Sequence, residues 1–163
     1  MLNISQKLLI FSFLFSFSLY SKDPYPKNSN IDIINYSFEL HLNDSTNIIV
    51  GKANINLHIL PSESQVRLDL ISKNLNEKGM LVHSVLFNGN DVPFTHQDNV
   101  LLIDTKGINY SISDIITVEY SGIPETGLII GDNMHGDRTF FSDNWPNKAR
   151  NWLPLVEIGR AHV

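Results

Sequence analysis

The stretch "TFFSDNWPNKARNWLPLVE", Thr139 to Glu157, gathers the side chains of this chain best suited to bind or react. Both tryptophans, Trp145 and Trp152, fall in it, with two of the seven prolines and Arg150. Trp and Arg carry much of the energy at interfaces, and a Trp-Pro step in a loop makes a rigid, amphipathic edge suited to docking. An equal reading has both tryptophans closing the open end of a β-sandwich. Asp132, Asp137 and Asp143 lie close by in sequence. Paired carboxylates of this kind can serve as the acid and base of glycoside hydrolysis. Asp is also a common turn residue, and a turn role is the expectation.

Other chemistries have no carrier. His41 and His58 fall on the polar faces of two predicted strands, at no register that joins them, and His83, His96 and His135 stand alone. None has metal-ligand spacing, and there is no His-Glu-x-x-His. Gly-x-Ser-x-Gly is missing, and a chain without cysteine has no thiol nucleophile. The glycines of "GLIIGDNMHGD" have the wrong spacing for a phosphate loop and precede no helix.

The elements that must position these residues are strands. "NYSFELHL" alternates, with Tyr36, Phe38, Leu40 and Leu42 on one face and Ser37, Glu39 and His41 on the other. After the turn cluster Asn43 to Thr46, Ile49, Ala53, Ile55, Leu57 and Ile59 share a face opposite Lys52, Asn54, Asn56 and His58. The pair reads as a long antiparallel hairpin with one wet face. Val66 to Ile71 and Met80 to Phe87 are two further strands. Asn88-Gly89 then supplies the positive φ of a tight hairpin turn. "VPF", Val100 to Asp104 and Ile115 to Gly122 follow, while the stretch from Thr139 shows neither helical nor strand period. The sequence predicts an all-β domain, a saddle-like or sandwich arrangement of mostly antiparallel sheets in two layers.

With 163 residues, 42% hydrophobic and a net charge of −5, the chain has the bulk of one domain. Lys and Arg are scattered and form no basic patch, so no nucleic-acid partner is expected. The first 21 residues have the anatomy of a signal peptide. Lys7 precedes the apolar run Leu8 to Phe17, and Ser16, Ser18 and Ser21 offer cleavage positions. That run is short for a membrane-spanning helix, so no stable membrane span is expected once the signal is cleaved. Residues 22–30 read as a linker. Export without disulfides suits a bacterial periplasm, cell surface or secreted protein.

From Tyr25 to Val156 the chain resembles the N-terminal domain of the M1 family of zinc aminopeptidases. The resemblance is carried by the opening hairpin with its Gly51-x-Ala53 and by "DNWPNKARNWLP", with Ala149, Arg150, Leu153 and Pro154. It implies a β-domain, residues 31–156, that covers one side of an active-site cleft. A Gln or Glu there binds the free α-amine of the peptide substrate. Counting back from Arg150, that position holds Trp145, so the chain departs from the family where the substrate is read. Either another group such as Asp143 holds the amine, or the substrate preference differs. The resemblance thus assigns Asp143, Asn144, Trp145 and Arg150 to substrate binding, sets Trp145 at the cleft or its rim, and packs Trp152 against the next domain.

The family's Gly-x-Met-Glu-Asn loop and its zinc-binding His-Glu-x-x-His lie further on. Zinc is therefore expected in a catalytic domain beyond these residues, and this chain alone is expected to bind none and cleave nothing. That domain and the peptide substrate are the implied partners. An apolar edge around Phe140, Phe141, Trp152, Leu153 and Leu155 should lie bare without it. Two rivals remain: a non-catalytic member of the family, and a stand-alone secreted β-sandwich that binds sugar or protein through the Trp145 loop. The final "IGRAHV" is what ATC GGA AGA GCA CAC GTC would encode, a string like a short-read sequencing adapter. Residues 157–163 are accordingly expected to be adapter read-through.

Overall fold

The computed structural model describes residues 30–156. The signal segment, the linker up to residue 29 and the tail 157–163 lie outside the described residues.

The long hairpin forms as its alternation requires. β1 (Ile31–His41) and β2 (Ile49–Ile59) pair antiparallel, with Phe38 opposite Ala53 and Leu40 opposite Gly51. The turn between them is closed by the Asn43 side chain, whose Oδ1 accepts the Ser45 N–H at 2.6 Å. β3 (Gln65–Asp69) and β4 (Gly79–Phe87) follow. Asn88 and Gly89 turn the chain with φ of 48° and 82° into the two-residue β5 (Asn90–Asp91), as their types predict. β6 (Phe94–Gln97), β7 (Val100–Asp104) and β8 (Asp114–Ile123) complete the two layers.

One sheet has the order β1-β2-β8-β4-β5 and the other β3-β7-β6, all pairings antiparallel. Their facing side chains form one core. Ile55, Leu57, Ile116, Val118 and Phe87 come from the larger sheet, and Val66, Leu68, Leu101 and Ile103 from the smaller. The outer face of the larger sheet is wet, and its polar residues pair across strands, as in Thr117 Oγ1 to Asn54 Oδ1 at 2.8 Å.

One cross-strand pair explains the glycine of the opening motif. Gly51 on β2 sits opposite Tyr120 on β8. A Cβ at Gly51 would overlap the Tyr120 ring and come within 2.6 Å of its hydroxyl oxygen. Only a residue without a side chain lets the ring lie flat across the core here. Tyr120 is fully buried, and its hydroxyl has no hydrogen-bond partner.

The stretch from Thr139 is more ordered than its pattern suggests. β9 (Leu128–Asp132) and β10 (Arg138–Ser142) form a separate two-stranded antiparallel hairpin. Beyond Leu128 neither strand buries a face fully, so neither needs the apolar-polar alternation by which strands are recognised. A short 3₁₀ helix, Lys148–Asn151, follows.

Candidate functional site

The Asp143–Trp145 loop leaves the base of the β9–β10 hairpin and turns back into the domain through the 3₁₀ helix. Its start is fixed by the backbone, since the Asp143 N–H donates to the Gly127 carbonyl at 2.8 Å. Gly127 has φ of 82° and lies so close to the Lys148 carbonyl that a side chain would collide with it. The hairpin base and the 3₁₀ helix therefore touch backbone to backbone.

Two side-chain contacts brace the loop. Asp143 Oδ2 accepts from Lys148 Nζ at 2.6 Å, and this partner holds the Asp143 carboxyl below its usual pKa range. Asn144 Oδ1 accepts the indole N–H of Trp152 at 3.0 Å, while the Asn144 carbonyl accepts the Lys148 N–H at 3.0 Å. Between these braces Trp145 points outward with 81% of its surface exposed, and the Trp145-Pro146 peptide bond is cis. Arg150 is half-buried on the 3₁₀ helix, and its carbonyl accepts the Ile71 N–H at 2.9 Å.

The tryptophans thus divide. Trp152, expected to meet a neighbouring domain, is instead part of this domain's own core at 7% exposure. The reason is local: the 3₁₀ turn points the indole inward, where Asn144 satisfies its one polar atom. Leu153 also packs on the core, and Phe140 and Leu155 are half-buried. Of the five residues expected to lie bare, Phe141 alone is exposed, and the exposed apolar edge is shifted away from Trp152. It runs along the hairpin, through Ile129 (54% exposed), Phe141 (63%) and Met134 at the tip (92%).

Asp143 does not converge with the other two carboxylates. Asp132 and Asp137 sit at the tip of the hairpin, where Asp137 bonds Asn133, and Asp143 sits at its base. The six residue-to-residue steps from Asp137 to Asp143 span about 20 Å when extended. A glycosidase pair needs roughly 5–9.5 Å, so these residues cannot form one across the strand. Among the described residues no group of three or more His, Cys, Asp or Glu is placed to hold a metal ion, and zinc has no fitting site in them. Two of the described histidines have local partners: His83 Nε2 meets Ser121 Oγ at 2.7 Å, and His96 Nε2 meets the Leu70 carbonyl at 3.0 Å.

Two contributors escaped the sequence reading. Lys148 neutralises Asp143 from five residues away, a spacing that is a contact in neither a strand nor a helix. Arg138 reaches back to the Thr46 carbonyl at 2.9 Å and to Asn47 Oδ1, tying the β9–β10 hairpin to the β1–β2 turn. Nothing local in the sequence announces a contact over such a separation. No helix among the described residues is long and apolar enough to cross a membrane.

No family profile and no curated protein matches this sequence. Solved structures do match. An M1 zinc metallopeptidase from Deinococcus radiodurans, a variant bound to a Tyr-Ser-Ala substrate, is similar at 18% identity and a TM-score of 0.59, over 78% of this chain and 29% of that one. A two-domain M1 zinc metallopeptidase variant bound to L-tryptophan gives 17% identity and a TM-score of 0.61, over 80% and 31%. Yeast leukotriene A4 hydrolase in complex with bestatin gives 17% identity and a TM-score of 0.67, over 95% and 25%. The chain therefore has a fold found in M1 zinc metallopeptidases and spans less than a third of their length.

Proposed function

We propose that this chain is the N-terminal β-domain of an exported M1-type zinc aminopeptidase, in which it walls one side of the cleft that receives the amino end of a peptide. The observation that carries the reading is the fold likeness over nearly all the described residues, joined to the outward-facing loop at Asp143–Trp145. Zinc and the water it activates belong to the catalytic domain of the whole enzyme, and the fragment alone is inactive. What this chain supplies is shape and charge. The Trp145 ring offers a face that attracts a substrate's ammonium group. Asp143 Oδ2 is engaged by Lys148, but Oδ1 accepts only a long 3.4 Å bond from the Trp145 N–H and keeps capacity for another donor.

The test is to read the gene past the codon for Trp152 and to assay the full-length product. A frame that continues into Gly-x-Met-Glu-Asn and His-Glu-x-x-His, with chelator-sensitive release of N-terminal residues, is the expected result. A continuing frame with the zinc ligands replaced would make this a non-catalytic member of the family. A genuine stop after Val163 would favour a stand-alone secreted binding module, the reading to which the 81% exposure of Trp145 also lends itself.

A further inference from the structure

Asn88-Gly89 is the one Asn-Gly step in the chain, and that dipeptide is chemically labile as well as good at turning. Glycine has no side chain to hinder its own backbone nitrogen, which can attack the amide carbon of the preceding asparagine. Here both residues are exposed, and nothing beyond the chain neighbours stands within 4 Å of where a Cβ of Gly89 would lie. Water and the room for a ring to close are therefore both at hand.

The fold holds the reacting side chain elsewhere. Asn88 Nδ2 donates to Asp114 Oδ1 at 2.8 Å, and Asn88 Oδ1 accepts the Ile115 N–H at 2.8 Å. The Asn88 N–H also donates to the Ile115 carbonyl at 2.8 Å. Both polar atoms of the side chain are thus engaged by the start of β8 and kept from Gly89. Asp114 is completely buried. It also accepts the Ser111 N–H at 3.0 Å and the Ser111 hydroxyl at 2.8 Å. A buried carboxyl group depends on its donors, and the Asn88 amide is one of them.

We propose that Asn88 is a conditional modification site: shielded while the β4–β5 turn is clamped to β8, deamidated when that corner opens, and unable to rejoin the clamp once converted. In the open state the Gly89 nitrogen bonds to Asn88 Cγ and the Cγ–Nδ2 bond breaks. The Gly89 amide proton leaves with the side-chain nitrogen as ammonia. Water then opens the succinimide at either carbonyl, leaving aspartate or isoaspartate at position 88. No oxidation state changes, and water is the only co-reactant. The product misfits in two ways. Aspartate puts an oxygen where the donor to Asp114 stood, so two carboxyl groups meet at hydrogen-bond distance and cannot both ionise. Isoaspartate also lengthens the backbone of a two-residue turn set by φ of 48° and 82°. An excursion from the folded state is thereby recorded in the chain. The proposal stands apart from the peptidase reading.

The test incubates the full chain at mildly alkaline pH, folded and in unfolding urea, and follows the peptide containing position 88 by mass spectrometry with the isoaspartyl form resolved. Deamidation should be at least tenfold slower in the folded chain. Asp114→Ala removes the buried end of the clamp, and with far-UV circular dichroism unchanged the folded rate should rise at least threefold. A second pair of variants reads the misfit of the product. Asn88→Gly tolerates the positive φ and drops the clamp without adding charge, whereas Asn88→Asp supplies the product directly. The midpoint of urea unfolding at neutral pH should fall further for Asn88→Asp. Equal rates folded and unfolded, a folded rate unmoved by Asp114→Ala, or an Asn88→Asp variant at least as stable as Asn88→Gly would overturn the proposal.

Discussion

Replacing Tyr120 by Phe should make this domain more stable, because the hydroxyl is buried in the core with no partner. An unsatisfied buried polar group costs about 1–3 kcal/mol. Removing the oxygen leaves a small void, and at about 24 cal/mol per Å³ a void of one atom costs a few tenths of a kcal/mol. The net expectation is a gain of about 1–2 kcal/mol. For a chain of this length each kcal/mol moves the melting temperature by about 2–4 °C. Urea unfolding followed by far-UV circular dichroism reads the change directly, with an unchanged m-value as the control.

The same substitution has an alkaline signature. Burial raises the Tyr120 pKa above the ordinary phenolic value near 10. The unfolded chain therefore gives up its proton first. This contribution is present in full below pH 10 and is lost as pH rises from there toward the folded-state pKa. Tyr120→Phe should flatten that alkaline decline. A loss of 1 kcal/mol or more at neutral pH would refute the reasoning, since it would mean that the hydroxyl is bonded through an enclosed water.

Gly51→Ala should destabilise by about 1–3 kcal/mol or more, because the new Cβ overlaps the Tyr120 ring; thermal melts of the two proteins side by side check it. His96 is held below its usual pKa by burial, opposed by its bond to the Leu70 carbonyl. The unfolded state then binds the proton first, so stability should fall as pH drops below about 6.5, and His96→Gln should lessen that slope in urea titrations. Acrylamide should quench Trp145 readily and Trp152 poorly, so Trp145→Phe should leave a blue-shifted, protected emission. Asp143 should titrate below the ordinary carboxylate range, its contact with Lys148 persisting until pH falls through that lowered value. Lys148→Met should move it back toward normal in an NMR titration, leaving the smaller lowering from the Trp145 N–H.

Much of the sandwich was legible because its strands are wet on one side and dry on the other. The β1–β2 hairpin, β4, β7 and β8 carry that contrast in their alternation, and Asn88-Gly89 marks its turn by the φ it requires. The β9–β10 hairpin was invisible for the opposite reason, since strands that bury little need no pattern. Trp152 was misplaced because composition cannot say which way a short 3₁₀ turn aims a side chain. What decided it was a single acceptor, Asn144, eight residues earlier. Of the candidate site, the sequence indicated the segment but not the braces, which join residues by geometries with no periodic signature.

The division between Asn144 and Trp145 has a consequence for how such a surface diversifies. Asn144 anchors the loop by gripping a core indole, while the next side chain along contributes almost nothing to packing. Position 145 works as an interchangeable socket: its occupant can be exchanged at little cost to the scaffold. A lineage can therefore change what that position presents in one mutational step, with the frame on either side left in place.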